Sequence, residues 1–509
     1  MPFIDLNKGT LPVKGEEFDV TIVGSGAAGI LLAVKLSEKG KKVLMIEAGH
    51  FTEDEHRQSL NNVEQTGKFL GNAVWGRKRA IGGTTIAWGG QSLPFSALDF
   101  KQRDWVPLSG WAIKLEDVTP YYGAANSFMN VDELDYEDDI FRLLGMKALP
   151  FDKNLLRYHF SKWSPQPDFR KLYEKYLDQH VTVVYNAVVT KVNTADNGTV
   201  NTVTVTNFDK QSYTMPVNKL ILATGAIEAS RILLLNNIAT ETGWVGKCFM
   251  DHPCVATGTI ESSNKYKLQR YLNTHVNGGK KYSLRMSLSE GVQQKEHLLN
   301  GSANIMAVYP EDGFDPYQEL KDFMRTRALP SVKNIFGNTA AYALSTKAYT
   351  VNKFIYKHNA TIRLALMLEQ EPLKESYVGL SDEEDVFGLK KGKIHWQLSH
   401  KTWDTAMKLT GYVADELKRM NIGNVVRYDY AKAENTDWAE HLTDVNHHMG
   451  GTRMSESAND GVVDKNLKVW GHDNMYICST SVFPTGSHSN PTLTMMALAV
   501  RLADQLSKN

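Results

Sequence analysis

The sequence is poor in cysteine. Cys248, Cys254 and Cys478 are the three thiols in 509 residues, and none stands in CxxC spacing. That excludes a disulfide framework and a thiolate metal centre. Net charge is also missing: 57 Lys and Arg face 57 Asp and Glu. A chain-wide attraction to nucleic acid is therefore not expected. No run of about 18 uninterrupted apolar residues occurs, so no membrane-spanning helix is expected. The opening, MPFIDLNKGTLPVKGEEFDV, lacks a basic-then-apolar export pattern, and a cytoplasmic location is the expectation. There is no HExxH and no other convincing ligand set, so no metal is expected. Ser25 sits in GSGAAG rather than GxSxG, which excludes the nucleophile-elbow hydrolases.

What is present is a nucleotide-binding texture. Residues 18–23 (FDVTIV) read as a strand buried on both faces, 27–39 as a helix, and 42–49 (KVLMIEAG) as the next strand. Such an order implies a parallel βαβ unit. Between its first two elements lies Gly24-Ser25-Gly26-Ala27-Ala28-Gly29, a GxGxxG turn, and Glu47 closes the second strand. Gly24 permits the turn, Gly26 lets the backbone approach a pyrophosphate, and Gly29 lets helix and strand pack. The helix N-terminus offers N–H groups to the anion, and the Glu47 carboxylate can accept ribose hydroxyls. A second glycine turn, Ala223-Thr224-Gly225, follows the apolar strand KLIL and precedes a helical run over 225–237. The C-terminal NPTLTMMALAVRLADQLSK reads as a helix opened by Pro491. Both features favour FAD over NAD. Between these segments the pattern turns β-rich: VVYNAVVTKV near 183–192, then VATGTIESS, YSLRMSLSE, GSANIMAVY, NATIRLALMLEQ and KGKIHWQLSH, with helical periodicity over 402–420.

The motifs resemble those of the glucose–methanol–choline (GMC) oxidoreductase family along nearly the whole chain. The resemblance is carried by 18–49, by Arg79-Ala80-Ile81-Gly82-Gly83-Thr84-Thr85 with Trp88-Gly89-Gly90, by VGKCFMDHP at 245–253, and by NHHMGGTRM, VVDKNLKVWGHDNMY and SVFPTGSHSNPTLTMMALAVRLAD near the end. Within the family the sequence is most similar to the pyranose 2-oxidase and glycoside 3-dehydrogenase branch. The resemblance implies an α/β protein: a Rossmann-like FAD-binding domain with a second α+β substrate domain built on an antiparallel sheet. The expected limits are 1–254 for the main FAD part with its flavin loop at 79–95, 255–440 for the substrate domain with a helical insert at 313–358, and 441–509 for the return to the FAD domain.

The same resemblance implies the site. Gly24, Gly26, Ala27, Ala28, Gly29, Glu47, Ala48, Arg79, Gly82, Gly83, Thr84, Thr85, Trp88, Gly89, Gly90, Val189, Ala223, Thr224, Gly225, Asn490, Pro491 and Thr492 would hold FAD. Pyranose 2-oxidases often carry a flavin-linking histidine where this chain has Ala87, so non-covalent FAD is expected. His448, opening His-Met-Gly-Gly-Thr, and Asn490 match the catalytic His and Asn. Imidazole would take the alcohol proton, the amide would hold the oxygen, and flavin N5 would receive the hydride. His447 reads as a structural neighbour and His252 as a loop-fixing residue. His488 and Gln370 are candidate substrate contacts, and Trp88, Trp396 and Trp470 are candidate stacking surfaces.

The expected activity is oxidation of a secondary hydroxyl of a pyranose or glycoside to a keto-sugar. Alternatives are another alcohol (sterol, aminoglycoside or aliphatic), a lyase of the same fold, and a docking subunit with a structural flavin. Oxygen, a quinone or an electron-acceptor protein would reoxidise the flavin; a dehydrogenase is expected because a cytoplasmic peroxide source is hazardous. Segment 323–358 carries six Lys or Arg and no acid, interleaved with Phe323, Phe336, Tyr342, Tyr349, Phe354 and Tyr356. It reads as two short helices around Pro330 and Gly337, serving as a solvated excursion, a lid, or a membrane or partner surface.

Overall fold

The computed structural model describes residues 3–9, 18–310, 314–326, 337–432 and 437–508. A six-stranded parallel sheet forms one centre. Its order is Phe3–Asp5, Thr182–Tyr185, Val43–Ile46, Val20–Val23, Leu220–Leu222 and Met475–Ile477. The strands Val20–Val23, Val43–Ile46 and Leu220–Leu222 are fully buried, which is why they read as unbroken apolar runs rather than alternating ones. Helix Ala27–Ser37 packs on this sheet and on the C-terminal helix Thr492–Ser507. Chain segments about 465 residues apart thus share one apolar core, with Leu31, Leu32, Met496 and Ala499 fully buried. The expected strand over 183–192 is two strands, Thr182–Tyr185 and Val188–Thr194, broken at Asn186, whose φ of 57° turns the chain. Val188–Thr194, Val200–Thr206 and Ser212–Pro216 form a small antiparallel sheet.

The second centre is an eight-stranded sheet. Its path is Asn424–Arg427, Cys254–Glu261, Thr361–Leu368, Gly301–Val308, Lys280–Leu288, Leu156–Trp163 and Gln91–Ser92, with Thr274–Asn277 beside Lys280–Leu288. Every pairing in it is antiparallel. One face is apolar: Leu284, Met286, Leu288, Ala303, Ile305 and Leu364 pack with Trp403, Leu409 and Val413 of helix His400–Arg419. The opposite face carries His159, Ser161, Arg285, Ser287 and Ser302, all buried, and looks toward the nucleotide-binding part. Strict alternation along the strands divides these two sets.

Two segments cross the expected domain limits. Gln91–Ser92 and Leu156–Trp163, inside 1–254, belong to the second sheet. Conversely, Lys390–Trp396, inside 255–440, pairs in parallel with Val63–Gly67, and its neighbour Tyr377–Glu384 brings Val378 onto Ile227. Both are exchanges that lock the halves together around the space between them.

The insert contains helices Pro316–Thr326 and Thr339–Thr350; residues 327–336, including Pro330 and Phe336, lie outside the described residues. Its described aromatics turn inward. Phe354 and Tyr356 are buried against Tyr266, Tyr349 packs on Tyr317, and Tyr342 on Phe314. Among the described residues, no helix is long and apolar enough to cross a membrane.

Candidate active site

A cavity of about 710 Å³ runs between the two centres. Its wall begins at the turn after Val20–Val23. Gly24 has φ +100°, a conformation glycine adopts freely. A Cβ on Gly29 would lie 1.9 Å from the Gly24 carbonyl oxygen, so the helix is pressed directly onto the turn. Helix Ala27–Ser37 has no side-chain cap, which leaves its first N–H groups to a ligand. Glu47 is buried on the wall. Its Oε2 accepts from the Ser25 N–H (2.9 Å) and Ser25 Oγ (2.7 Å), and its Oε1 from the Gly49 N–H (2.8 Å). One oxygen therefore fixes the glycine turn while the other retains a lone pair toward the cavity.

Gly24, Gly26, Ala27, Ala28, Glu47, Ala48, Arg79, Gly83, Thr84, Thr85, Trp88, Gly89, Gly90, Val189, Ala223, Thr224, Gly225, Asn490, Pro491 and Thr492 all line this one cavity. Two expected contacts do not. Gly29 and Gly82 stand behind the wall, Gly82 donating its N–H to Ser25 Oγ at 3.2 Å. Arg79 is engaged by Glu228 (2.6 Å) and Asn61 (2.8 Å). Arg79, Arg231 and Arg77 surround Glu228 and hold its carboxyl down at about 2 despite burial. Trp88 is pinned by its indole N–H on the Pro167 carbonyl (2.7 Å).

The cavity fits a dinucleotide. Thr224 Oγ1 and Asn490 Oδ1 are buried without a hydrogen-bond partner, and both belong to wall residues. Buried polar atoms of this kind are normally satisfied, here by a bound group. Gly26 and Gly225 have open space where a Cβ would stand, so the backbone can be approached closely at both glycine turns.

At the opposite end the chain presents the doublet His447-His448. The segment bridges Met250 through Met449. His447 is the member that meets Asn490: Nε2 lies 3.2 Å from Asn490 Nδ2. Its Nδ1 lies 2.8 Å from His252 Nδ1, and His252 Nε2 lies 3.0 Å from the Gly486 carbonyl. His448 also lines the cavity, and its Nε2 is buried without a hydrogen-bond partner. Its ring packs on Phe249, and Nε2 stands 3.6 Å from Asp251 Oδ2, beyond hydrogen-bond reach. Burial pushes His448 down to about 3 and, with Asp444, raises Asp251 to about 7, so this pair resists ionisation. Asp251 Oδ1 also gathers the N–H groups of His252 (2.6 Å) and His447 (3.1 Å). Thus the ring nitrogen that meets Asn490 belongs to His447, the neighbour of the expected His448. The motif locates the doublet, and the hydrogen-bond distances distinguish its two members. Asp251 was passed over because a carboxylate in a loop motif carries no signal of whose backbone it will gather.

The candidate substrate contacts are also corrected. Gln370 is buried and fully used: Oε1 accepts from the Asp251 N–H (3.0 Å) and the Trp396 indole (2.8 Å), while Nε2 donates to the Phe249 (3.2 Å) and Gln397 (3.1 Å) carbonyls. No capacity remains for a sugar hydroxyl. Trp396 is core. His488 is buried behind Asn490, with Nε2 3.2 Å from His159 Nε2, and does not line the cavity. Trp470 donates its indole N–H to Ser455 Oγ at 3.0 Å and is likewise absent from the wall. Among the described residues, no three His, Cys, Asp or Glu side chains are placed to hold a metal.

Comparison with known proteins agrees with this architecture. A family profile described as FAD binding domain matches residues 17–225, and one described as GMC oxidoreductase matches 372–499. The fructose dehydrogenase large subunit of Gluconobacter japonicus is 22% identical, the alignment covering 96% of this chain and 97% of that protein. The 2-methyl-1,2-propanediol dehydrogenase of Mycolicibacterium austroafricanum is 21% identical, with 98% and 96% covered. The crystal structure of pyridoxine 4-oxidase from Mesorbium loti superposes with a TM-score of 0.56 at 15% identity, covering 96% of this chain and 99% of that one, and so shares the fold. With the fold and the cavity in agreement, the chain joins an FAD-binding domain over 17–225 to a GMC oxidoreductase domain over 372–499, the organisation of an FAD-dependent oxidoreductase of CH–OH donors.

Proposed function

We propose that the protein oxidises a secondary ring hydroxyl of a pyranose or glycoside to a ketone, with His447 as base and Asn490 as the oxygen-holding donor. The observation that carries this is the 3.2 Å approach of His447 Nε2 to Asn490 Nδ2 on the cavity wall. A substrate hydroxyl placed between them can give its proton to Nε2 and accept from Nδ2. The base removes the proton and the amide stabilises the developing alkoxide charge. Burial, with Arg285 and the adjoining histidines, holds His447 well below the ordinary histidine range, so it is neutral and able to accept a proton at neutral pH. FAD bound along the cavity would accept the two electrons that leave with the C–H hydrogen.

The glycine turn and helix Ala27–Ser37 would hold the pyrophosphate, Glu47 the ribose, Val189 the adenine edge, and the 79–95 loop with Pro491 and Thr492 the flavin. Ala87 lies on the wall where a linking histidine would stand, which supports dissociable FAD. The sugar assignment rests on the motif resemblance and on the sugar named in the fructose dehydrogenase relative. Dehydrogenase action, with a quinone or protein acceptor in place of oxygen, is proposed on the names of both relatives.

The test is anaerobic bleaching of the oxidised flavin band by glucose, other pyranoses and alkyl glycosides, without NADH. Bleaching by a sugar, with a keto-sugar identified by mass analysis, supports the assignment. Bleaching by dithionite and aliphatic alcohols but by no sugar removes the sugar and keeps the enzyme class.

A further inference from the structure

A histidine can act as a base only through the ring nitrogen that lacks a proton. Which nitrogen that is follows from its neighbours. Here the chain of bonds starts at a group with no choice. The Gly486 carbonyl can only accept, so His252 Nε2, 3.0 Å away, carries a proton and donates. Neutral His252 then has a bare Nδ1. Facing it at 2.8 Å, His447 Nδ1 must donate. His447 Nε2 is left bare, and this is the atom turned to Asn490. The opposite tautomer of His447 would set two lone pairs against each other at 2.8 Å.

We propose that His252 is a positioning residue that sets the tautomer of His447 and so delivers a proton-free Nε2 to the substrate hydroxyl. This rests on the reading of His447 as the base. The geometry serves the full proton cycle. When His447 takes the alcohol proton at Nε2, its Nδ1–H remains donated to His252, whose single ring proton stays on Nε2 and is donated to the Gly486 carbonyl; the imidazolium charge is shared along a line already oriented to receive it. Gly486 also stands four residues before Asn490 in one segment, so His252 ties the base to the segment that carries the amide. Asp251 Oδ1, accepting from both the His252 and His447 N–H groups, fixes the backbones that set this line. His252 is completely buried, so no water competes for its Nδ1.

The experiment compares His252→Leu with His252→Gln in the FAD-loaded enzyme by anaerobic stopped-flow. Leucine removes both bonds; glutamine can restore an acceptor toward His447 and a donor toward Gly486. His252→Leu is expected to slow flavin reduction by about 100-fold or more, as wrong-tautomer histidines do in other enzymes, with substrate Kd changed by less than about threefold. His252→Gln is expected to recover most of that loss. Reduction by His252→Leu at near the wild-type rate overturns the proposal, as does a glutamine variant no better than leucine. Should the leucine variant not fold, 15N-histidine spectra of the wild-type protein decide, with the His447 resonances identified by their loss in His447→Gln. They must show a protonated Nδ1 and a bare Nε2; the reverse pattern overturns the proposal. His447→Ala keeps the two readings separate. If it reduces flavin normally, the base assignment itself falls. If it fails while His252→Leu is normal, the relay alone falls.

Discussion

At the scale of single residues, the decisive comparison is between two neighbouring histidines. His447→Ala should keep bound yellow FAD and lower the rate of flavin reduction by about a thousandfold, within the usual span for a lost general base. His448→Ala removes a ring that packs on Phe249 and, though on the cavity wall, makes no hydrogen bond to Asn490 or His252, so its rate should stay within about tenfold of wild type. Stopped-flow on both variants ranks them, and a larger loss for His448→Ala would reverse the assignment. A second residue-scale prediction concerns stability. Arg103 and Glu369 form a fully buried, bidentate pair at 2.8 and 2.6 Å, and Glu369 also accepts the Asn300 N–H at 2.8 Å. Glu369→Gln takes the bidentate charged partner from a buried guanidinium. The expected cost is about 3–5 kcal/mol, read as a lower midpoint in urea; an unchanged midpoint would show that the pair adds nothing.

At the scale of elements, the βα turn is the most constrained piece. Gly29→Ala would drive a methyl into the Gly24 carbonyl, so helix Ala27–Ser37 must leave the sheet or the turn must open. Either movement spoils the anion site, and the purified variant should be colourless; full flavin content would show that the turn can relax without loss. This unit was legible in the sequence because local chemistry specifies it: glycines at fixed spacing, an apolar strand before them, a carboxylate after the next strand. The C-terminal helix was legible for the same reason, through Asn490-Pro491 and its periodic apolar face. The elements that the sequence left obscure are those defined by partners. Leu156–Trp163 finds its place only beside Lys280–Leu288, far along the chain, and Gln91–Ser92 is two residues long. Gln370 looked like a free polar side chain in LEQEP because its four partners come from Asp251, Trp396, Phe249 and Gln397, none of which neighbours it in sequence. The histidine doublet fell between the two cases: the motif located it, and the contact with Asn490 belongs to the member the motif did not single out.

At the scale of the whole molecule, the buried histidines set the pH range in which the fold holds. Burial pushes His159 and His448 down to about 3 and His252 and His275 down to about 4. In the unfolded chain each would titrate near 6.5. Between these values the unfolded state binds more protons than the folded one, so stability rises with pH through this window, is complete above 6.5, and is lost on acidification. At pH 5.5 each of the four costs at most about 1.4 kcal/mol. Asp251 acts in the opposite sense. Its carboxyl, raised to about 7 from 3.8, holds a proton in the folded state that the unfolded state has released, so acidifying from pH 7 to 5.5 returns about 2 kcal/mol. The histidines outweigh it, and the balance is a sizeable part of the roughly 5–15 kcal/mol by which folded proteins are stable. The midpoint of thermal unfolding, at fixed FAD concentration, should therefore fall by several degrees between pH 7 and 5.5. His275 provides the control: it donates Nε2–H to the Arg270 carbonyl (2.7 Å) and packs on Phe160 and Phe354, away from the cavity. His275→Gln should flatten the acid slope by one histidine's share while leaving flavin reduction unchanged, and a slope as steep as that of wild type would place the acid sensitivity elsewhere.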